Sequence, residues 1–396
     1  MAINIIHIAN DEKFINAAIY QFEKVAPGRN RFYIIVKSGV HKTRHVRLGE
    51  RVQILENSTV NKHHLITSIP PHSIVVFHSL SSRFHEISYS LPKSCQAVWF
   101  CFGYEVYNDL YFTTVEEALE EYTKEKFYKA KPTNTFQEFK DQLKPFARSL
   151  GFRISLTAIE KKRKAIARID YLGSSFKEEF EAVCSKIGEE KKFFSFWYYP
   201  LERIVDLSKD YSIEKDSIWV GNSGAISGNH IDIFEKLKQA TISKFKNVIS
   251  PLSYGDNKYI EEIRTLGDSY FGTKYEPLLD FMPLQDYNAQ LARAAIAIFY
   301  NKRQQALGNI ITLVYMGCKV YLNPHNPIYA FMRRKGFFIY NFNEEFSEEI
   351  YLKALTIKEK KHNQKLLQEL LKEDILLKNL KEQLVFLEKT GSNASL

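Results

Sequence analysis

Several stretches of the 396-residue chain gather polar residues in patterns suited to phosphate chemistry. Gly221, Asn222, Ser223 and Gly224 directly follow an apolar run, and a helical pattern opens soon after, near Asn229 and His230. Glycines let a backbone approach a ligand closely, and free N–H groups at a helix start hold phosphate. The same four residues are equally an ordinary tight turn. Residues 300–309 stack Lys302, Arg303, Gln304 and Gln305 ahead of Gly308 and Asn309, again between an apolar run and a helical pattern. Guanidinium and ammonium groups neutralise a departing diphosphate, and the helix dipole adds to them. Polar groups this dense are costly to bury without a ligand. Phe281, Met282, Pro283, Leu284 and Tyr287 form an apolar loop that walls a nucleobase or belongs to the core. His78 and Glu105 each follow another apolar run. Either could take a proton from an acceptor hydroxyl, with Glu105 the preferred base and His78 next, although a lone His or Glu is more often structural.

Two patterns are missing. The chain holds no D-x-D triplet, the pair that holds a divalent ion on a sugar-nucleotide diphosphate in metal-dependent transferases. It also holds no GxxxxGK[ST] phosphate loop. Diphosphate stabilisation by Lys, Arg and a helix dipole, with no metal or other cofactor, is the expectation.

The elements that must position these residues alternate. Residues 3–8, 32–36, 52–55, 74–77 and 97–101 read as strands, with helical stretches between them. A second series follows residue 216, with strands at 218–220, 247–250, 278–281, 296–299 and 319–322 and helices at 231–238, 258–266, 285–293 and 309–316. Strand–helix alternation predicts parallel sheets covered on both faces. Two Rossmann-like α/β domains facing a central cleft are expected, with ligands beyond the carboxyl ends of the strands. The partition is 1–205 for an acceptor domain with a basic helical insertion, 206–345 for a donor domain, and 346–396 for a long amphipathic helix and frayed tail. In that last stretch Leu370, Leu377 and Leu384 lie seven apart, and Leu366, Leu380 and Leu387 keep the same spacing except that Glu373 interrupts it. Packing onto its own chain is the default for such a helix.

Composition narrows the function. Apolar residues make up 45% and charged residues 26%, which excludes disordered, collagen-like and disulfide-scaffold chains. The four cysteines show no CxxC or zinc spacing and read as reduced. No signal-peptide pattern and no apolar run of membrane-spanning length is seen. Net charge is +9, which favours a polyanionic partner. Basic clusters at 124–131 and 161–168 interleave with Phe127, Tyr128, Phe136, Phe139, Phe146 and Phe152. Lys161, Lys162, Arg163 and Lys164, with Phe127 and Tyr128, are the candidates for meeting an anionic membrane surface. Solvated helix faces and core Phe residues explain the same pattern.

Taken in order, the motifs resemble one family. V-G-N-S-G from Val220, N-H-I from Asn229, Y-I-E-E-I from Tyr259, F-M-P-L-x-x-Y from Phe281, R-Q-Q-x-x-G from Arg303 and L-N-P-x-N-P from Leu322 are similar to glycosyltransferase family 56. These are the TDP-N-acetylfucosamine:lipid II N-acetylfucosaminyltransferases of enterobacterial common antigen synthesis. W-F-C-F-G-Y-E-V-Y from Trp99 resembles that family's W-x-x-W-G-x-D-x-Y, with Glu105 where the family has Asp, and His78 resembles a family His. The likeness is best over residues 218–329. It implies a GT-B-like glycosyltransferase on the inner face of the cytoplasmic membrane, moving a deoxyamino sugar from a dTDP-linked donor to a lipid-linked saccharide. Two alternatives stay open: a GT-B enzyme using another nucleotide sugar and a soluble or protein acceptor, or a non-catalytic basic protein binding nucleotides or nucleic acid. The aromatic–basic mix matches no RNA- or DNA-binding pattern, so no nucleic-acid partner is expected.

Overall fold

The structure is a computed structural model that describes residues 3–107, 114–128, 155–211, 215–240, 245–347 and 354–393. Phe136, Phe139, Phe146, Phe152 and the end of the 124–131 cluster lie outside the described residues. The chain divides into two compact units. The first comprises Met1–Val106, Lys129–Tyr198 and Leu376–Leu396, and the second Tyr107–Tyr128 and Tyr199–Ile375.

In the first unit the β-branched and aromatic runs form β1 (Ile5–Ala9), β2 (Asn30–Val36), β3 (Val52–Glu56), β4 (Ile74–His78) and β5 (Gln96–Phe100). Two strands not expected from the sequence follow, β6 (Tyr171–Ser174) and β7 (Lys192–Ser195). All pair in parallel, in the order β3-β2-β1-β4-β5-β6-β7. β6 gives a weak signal because it is four residues long and contains Gly173. A Cβ on Gly173 would stand 2.1 Å from the Phe100 ring, so the strand can lie beside β5 only as glycine. The strand order reverses between β1 and β4, which makes their carboxyl ends the switch point where doubly wound sheets bind ligands.

The second unit repeats the plan with β8 (Ser217–Val220), β9 (Asn247–Pro251), β10 (Tyr275–Leu278), β11 (Ala294–Phe299), β12 (Lys319–Leu322) and β13 (Tyr340–Asn341). The order is β10-β9-β8-β11-β12-β13, so its switch point lies between β8 and β11. β10 starts three residues before the expected 278–281 strand and ends at its first residue, Leu278. Tyr275 and Leu278 are buried whereas Leu279 and Phe281 are exposed, so the apolar run continues into the loop beyond the sheet.

The C-terminal residues form two helices, Ile357–Leu371 and Glu373–Asn393. They do not form a separate domain. The first helix packs in the second unit, where Asn363 bonds both the N–H (2.9 Å) and the carbonyl (3.2 Å) of Phe338. In the first unit, Leu380, Leu384 and Leu387 of the second helix enter the core with Ile5, Phe22 and Phe32. There Gln383 accepts from the Ser195 N–H and donates to its carbonyl, both at 2.7 Å, covering the open edge of β7. The seven-residue spacing thus reports packing onto the chain itself.

Candidate functional site

At the exit of β8 the backbone turns at Gly221, whose φ of +70° favours glycine. A Cβ there would lie 2.4 Å from Nε2 of His230, so the turn closes on a buried imidazole. Ser223 and Gly224 are also buried, and only Asn222 of the four is partly open. Its amide Oδ1 accepts from Gln305 Nε2 at 3.2 Å, and Gln305 Oε1 accepts from Ser227 Oγ at 3.2 Å. The β8 and β11 exits, far apart in sequence, therefore meet. His230 loses protons easily, its pKa lowered by burial to about 4, so the ring is neutral.

The β11 exit runs from Tyr300 through Lys302, Arg303, Gln304 and Gln305 into the helix Leu307–Tyr315. Ala306 enters that helix at φ +62°, a left-handed conformation unusual for a residue with a Cβ. Alanine supplies no cap, so the first-turn N–H groups are left to solvent or an anion. Gly308 in that turn is exposed and faces open space. Asn309 Nδ2 donates to the Tyr287 hydroxyl at 2.8 Å. Tyr287 stacks edge-on against Trp219, centroids 5.6 Å apart, and Trp219 Nε1 donates to Gly221 O at 2.9 Å. Tyr287 thus joins the two exits to the apolar loop. Phe281 is 74% and Leu284 60% exposed, with Met282 and Pro283 between them, so the loop is a wall rather than core. Leu284 also lines a cavity of about 740 Å³ together with Arg203, Lys209, Tyr211 and Asn288.

Sequence reasoning missed what holds these loops. Asn229, Asn301, Asn323 and Asn326 are fully buried. Asn229 donates to Tyr300 O (3.0 Å), Asn301 to Ser227 O (2.8 Å), and Asn326 to the carbonyls of Asn301 and Arg303 (both 3.0 Å). Irregular buried backbone needs such donors. The only sequence signal is asparagine recurring just after strands. Glu120 was missed too: it accepts from Asn323 Nδ2 at 2.6 Å and pairs with Lys302 at 3.5 Å. Lys302 also donates to Leu119 O at 2.8 Å, so its ammonium is already engaged by the segment before residue 128.

In the first unit, His78 ends β4 and is buried. Its Nδ1 is 2.8 Å from the Tyr198 hydroxyl and its Nε2 is 3.0 Å from His7 Nδ1. His7 Nε2 lies 3.2 Å from Asn30 Oδ1. Asn30 Nδ2 donates to the carbonyls of Phe22 and Ala26, so its oxygen must accept. That sets every tautomer: His7 carries its proton on Nε2, His78 donates from Nε2 to His7, and Tyr198 donates to His78. Burial lowers the pKa of His7 to about 3 and that of His78 well below its usual value, the latter aided by His7. With both ring nitrogens engaged inside the unit, His78 has none left for an acceptor hydroxyl. This corrects its expected part as a base and makes it an internal brace.

Glu105 is 8% exposed. One carboxylate oxygen accepts from the N–H of Leu80, just past β4. The other accepts from Phe102 N (3.1 Å) and Trp99 Nε1 (3.3 Å). Burial raises its pKa to about 7 against these donors. Lys162 donates to the Glu105 carbonyl at 2.9 Å. Lys161, Arg163 and Lys164, on the helix Ala158–Ala167, are exposed.

The other basic cluster is not part of the same unit. Residues 124–128 belong to the second unit, where Phe127 packs edge-on against Tyr259, centroids 5.0 Å apart. A ring held in that core does not insert into a membrane. Tyr128 is half-buried beside it, Lys126 pairs with Glu262 and Lys124 with Glu116 (3.7 Å). Among the described residues no helix is long and apolar enough to cross a membrane.

Residues 183–368 match the model of the family described as 4-alpha-L-fucosyltransferase, glycosyl transferase group 56. Solved structures of similar fold include trehalose-6-phosphate synthase of Burkholderia multivorans (9% identity, 100% of each chain, TM-score 0.59). The trehalose-6-phosphate enzyme of E. coli bound with UDP-2-fluoro glucose is another (8%, 98% of this chain and 99% of that one, 0.60). Sucrose-phosphate synthase of Thermosynechococcus elongatus is a third (9%, 98% and 100%, 0.59). Two doubly wound units, each with polar loops at its switch point, agree with these matches: the chain is a glycosyltransferase of GT-B fold, and its residues 183–368 are similar to the 4-alpha-L-fucosyltransferase family, glycosyl transferase group 56.

Proposed function

We propose that the protein moves a deoxyamino sugar from a dTDP-linked donor to a lipid-linked saccharide on the inner face of the cytoplasmic membrane. The observation that carries the donor half is the uncapped helix start at Leu307, set beside Arg303 at the switch point of the second unit and inside the family-matched stretch. Backbone N–H groups and a guanidinium stabilise the charge that grows on a departing diphosphate. Asn222 and Gln305 border the same place, and the exposed Phe281–Leu284 wall with Tyr287 offers a face to the base. Lys302 borders the same place with its ammonium held by Glu120 and the Leu119 carbonyl, so Arg303 is the cation offered to the diphosphate.

In the first unit Glu105 takes the part of the base. Its carboxyl, raised to about 7, is half ionised near neutral pH, which suits proton removal from an acceptor hydroxyl. The exposed Lys161, Arg163 and Lys164 give a docked enzyme attraction to anionic lipid. The test is transfer from a panel of TDP-, UDP- and GDP-linked sugars to isoprenoid-diphosphate saccharides and to soluble sugars. Preference for a TDP-linked amino sugar and a lipid-linked acceptor is the expected result. Turnover only with another nucleotide, or only with soluble acceptors, overturns it.

A further inference from the structure

Past the carboxyl ends of β1 and β4, at the switch point of the first unit, side chains tie the strand exits to basic residues. Asn10, just past β1, accepts from Arg83 Nη1 at 3.2 Å and donates to Ser79 Oγ at 3.3 Å. Ser79, just past β4, holds φ at +100°, a strained backbone for serine. The next residue, Asp11, accepts from the N–H groups of Arg44 (2.5 Å), His45 (3.0 Å) and Val46 (2.9 Å). Those three bonds turn its carboxylate toward the loop backbone and fasten the loop after β2 to the β1 exit. Asn16 adds two more ties, accepting from Arg47 N (2.9 Å) and donating to His45 O (2.8 Å). The loop side chains Lys42, Arg44 and Arg47 are exposed, and Arg83 is half-exposed. Fastening a loop by its backbone while its guanidinium groups stay in solvent builds a pre-ordered surface for an anion. Nothing in the histidine chain or the Glu105 clamp uses these groups.

We propose that this exit is the binding site for a phosphate or diphosphate group on the acceptor, with Arg83, Arg44 and Arg47 neutralising it. The inference rests on the acceptor being phosphorylated, as in the reading above, and it makes the acceptor's phosphate, rather than its sugar alone, a determinant of recognition.

Farnesyl diphosphate is the probe, titrated calorimetrically into the full-length protein with TDP saturating to block the donor loops, beside farnesol and phosphatidylglycerol vesicles. Farnesyl diphosphate should bind and farnesol should not. Arg83→Gln combined with Arg44→Gln should weaken binding about tenfold or more, as loss of charge-assisted bonds does, and TDP affinity should not change. Arg47→Glu, on the exposed loop, removes charge without touching Asn10 and should weaken it in the same direction. Unchanged farnesyl diphosphate affinity in these variants overturns the proposal, as does equal loss of TDP affinity. Loss of vesicle binding with farnesyl diphosphate affinity intact also overturns it, since the loop would then read headgroups. Absence of TDP binding in the wild type would sink the donor reading and leave the arginine dependence of farnesyl diphosphate binding to be judged by itself.

Discussion

The two switch points sit on nearly the same sheet plan and are furnished differently. In the second unit, between β8 and β11, the buried groups that hold loop carbonyls are neutral amides, set beside one neutral imidazole, His230, and a helix start opens beside Arg303. In the first, between β1 and β4, the buried groups are titratable: two neutral histidines in a one-way chain and a carboxyl raised to about 7. Amides keep their charge state at any pH and His230 stays neutral above about 4, so across the neutral range the second exit presents a constant field to an anion. Histidines and a carboxyl hidden from water make the first exit sensitive to protons. The contrast suits a division in which one half stabilises a leaving group and the other manages a proton.

The largest expected effect comes from removing the titrating group. Glu105→Gln should lower turnover on the order of 10² to 10⁴-fold, the usual worth of a positioned base. The wild-type rate should rise with pH through about 7, because the base must be ionised, and that limb should vanish in the variant. A variant with the same pH limb would remove the base from the first exit. Arg303→Ala should follow, with turnover down about 10² to 10³-fold and little change in melting temperature. If turnover survives, the charge is carried by the helix start alone.

Asn326→Ala tests the amide lattice. It leaves the buried carbonyls of Asn301 and Arg303 without their donor and removes the cap on Ile328 N, at about 1–3 kcal/mol. Urea titration should show that loss at every pH, since no proton is involved. The first exit should behave otherwise. His7 and His78 have folded pKa values below the unfolded 6.5, so their contribution is present above 6.5 and is lost as pH falls through the window toward about 3 for His7. Glu105 runs the opposite way: its folded value lies above 4.5, so its contribution is present below 4.5 and is lost as pH rises toward about 7. Between pH 5 and 6.5 the carboxyl therefore offsets part of the histidine loss. Glu105→Gln should steepen acid destabilisation there by up to about 1.4 kcal/mol per pH unit. A flat difference between wild type and variant would mean these groups are not protected from water. The smallest effect is none at all: transfer should persist in EDTA, with charge neutralisation left to Arg303 and the helix start. Loss restored by Mg²⁺ would break that assignment.

Much of the second unit's switch point was legible in the linear chain because its signals are local. A strand, a glycine turn and a helix start lie within a dozen residues, and R-Q-Q-x-x-G announces both cations and helix entry. The first unit's switch point was harder to read. His78 looked like a base because its partners, His7 and Tyr198, are 71 and 120 residues away. Glu105 stood out by its motif, but nothing local to it reveals that Leu80 and Trp99 donate to it or that burial raises its pKa. Phe127 seemed exposed amid lysines until Tyr259 was found against it.

Sequence by itself determined the alternation that makes two parallel sheets, the turn and helix starts at their carboxyl ends, and the order of motifs that resembles the 4-alpha-L-fucosyltransferase family. Period and punctuation act over a few residues, so they survive in one dimension. Tertiary structure decided which glycines serve packing against His230, which side chains of the Lys- and Phe-rich stretches are solvated, where the C-terminal leucines go, and how protons are held along the Asn30–His7–His78–Tyr198 chain. Burial and hydrogen-bond partners across a hundred residues are set by the fold alone, and they decide whether a titratable group is chemistry or brace.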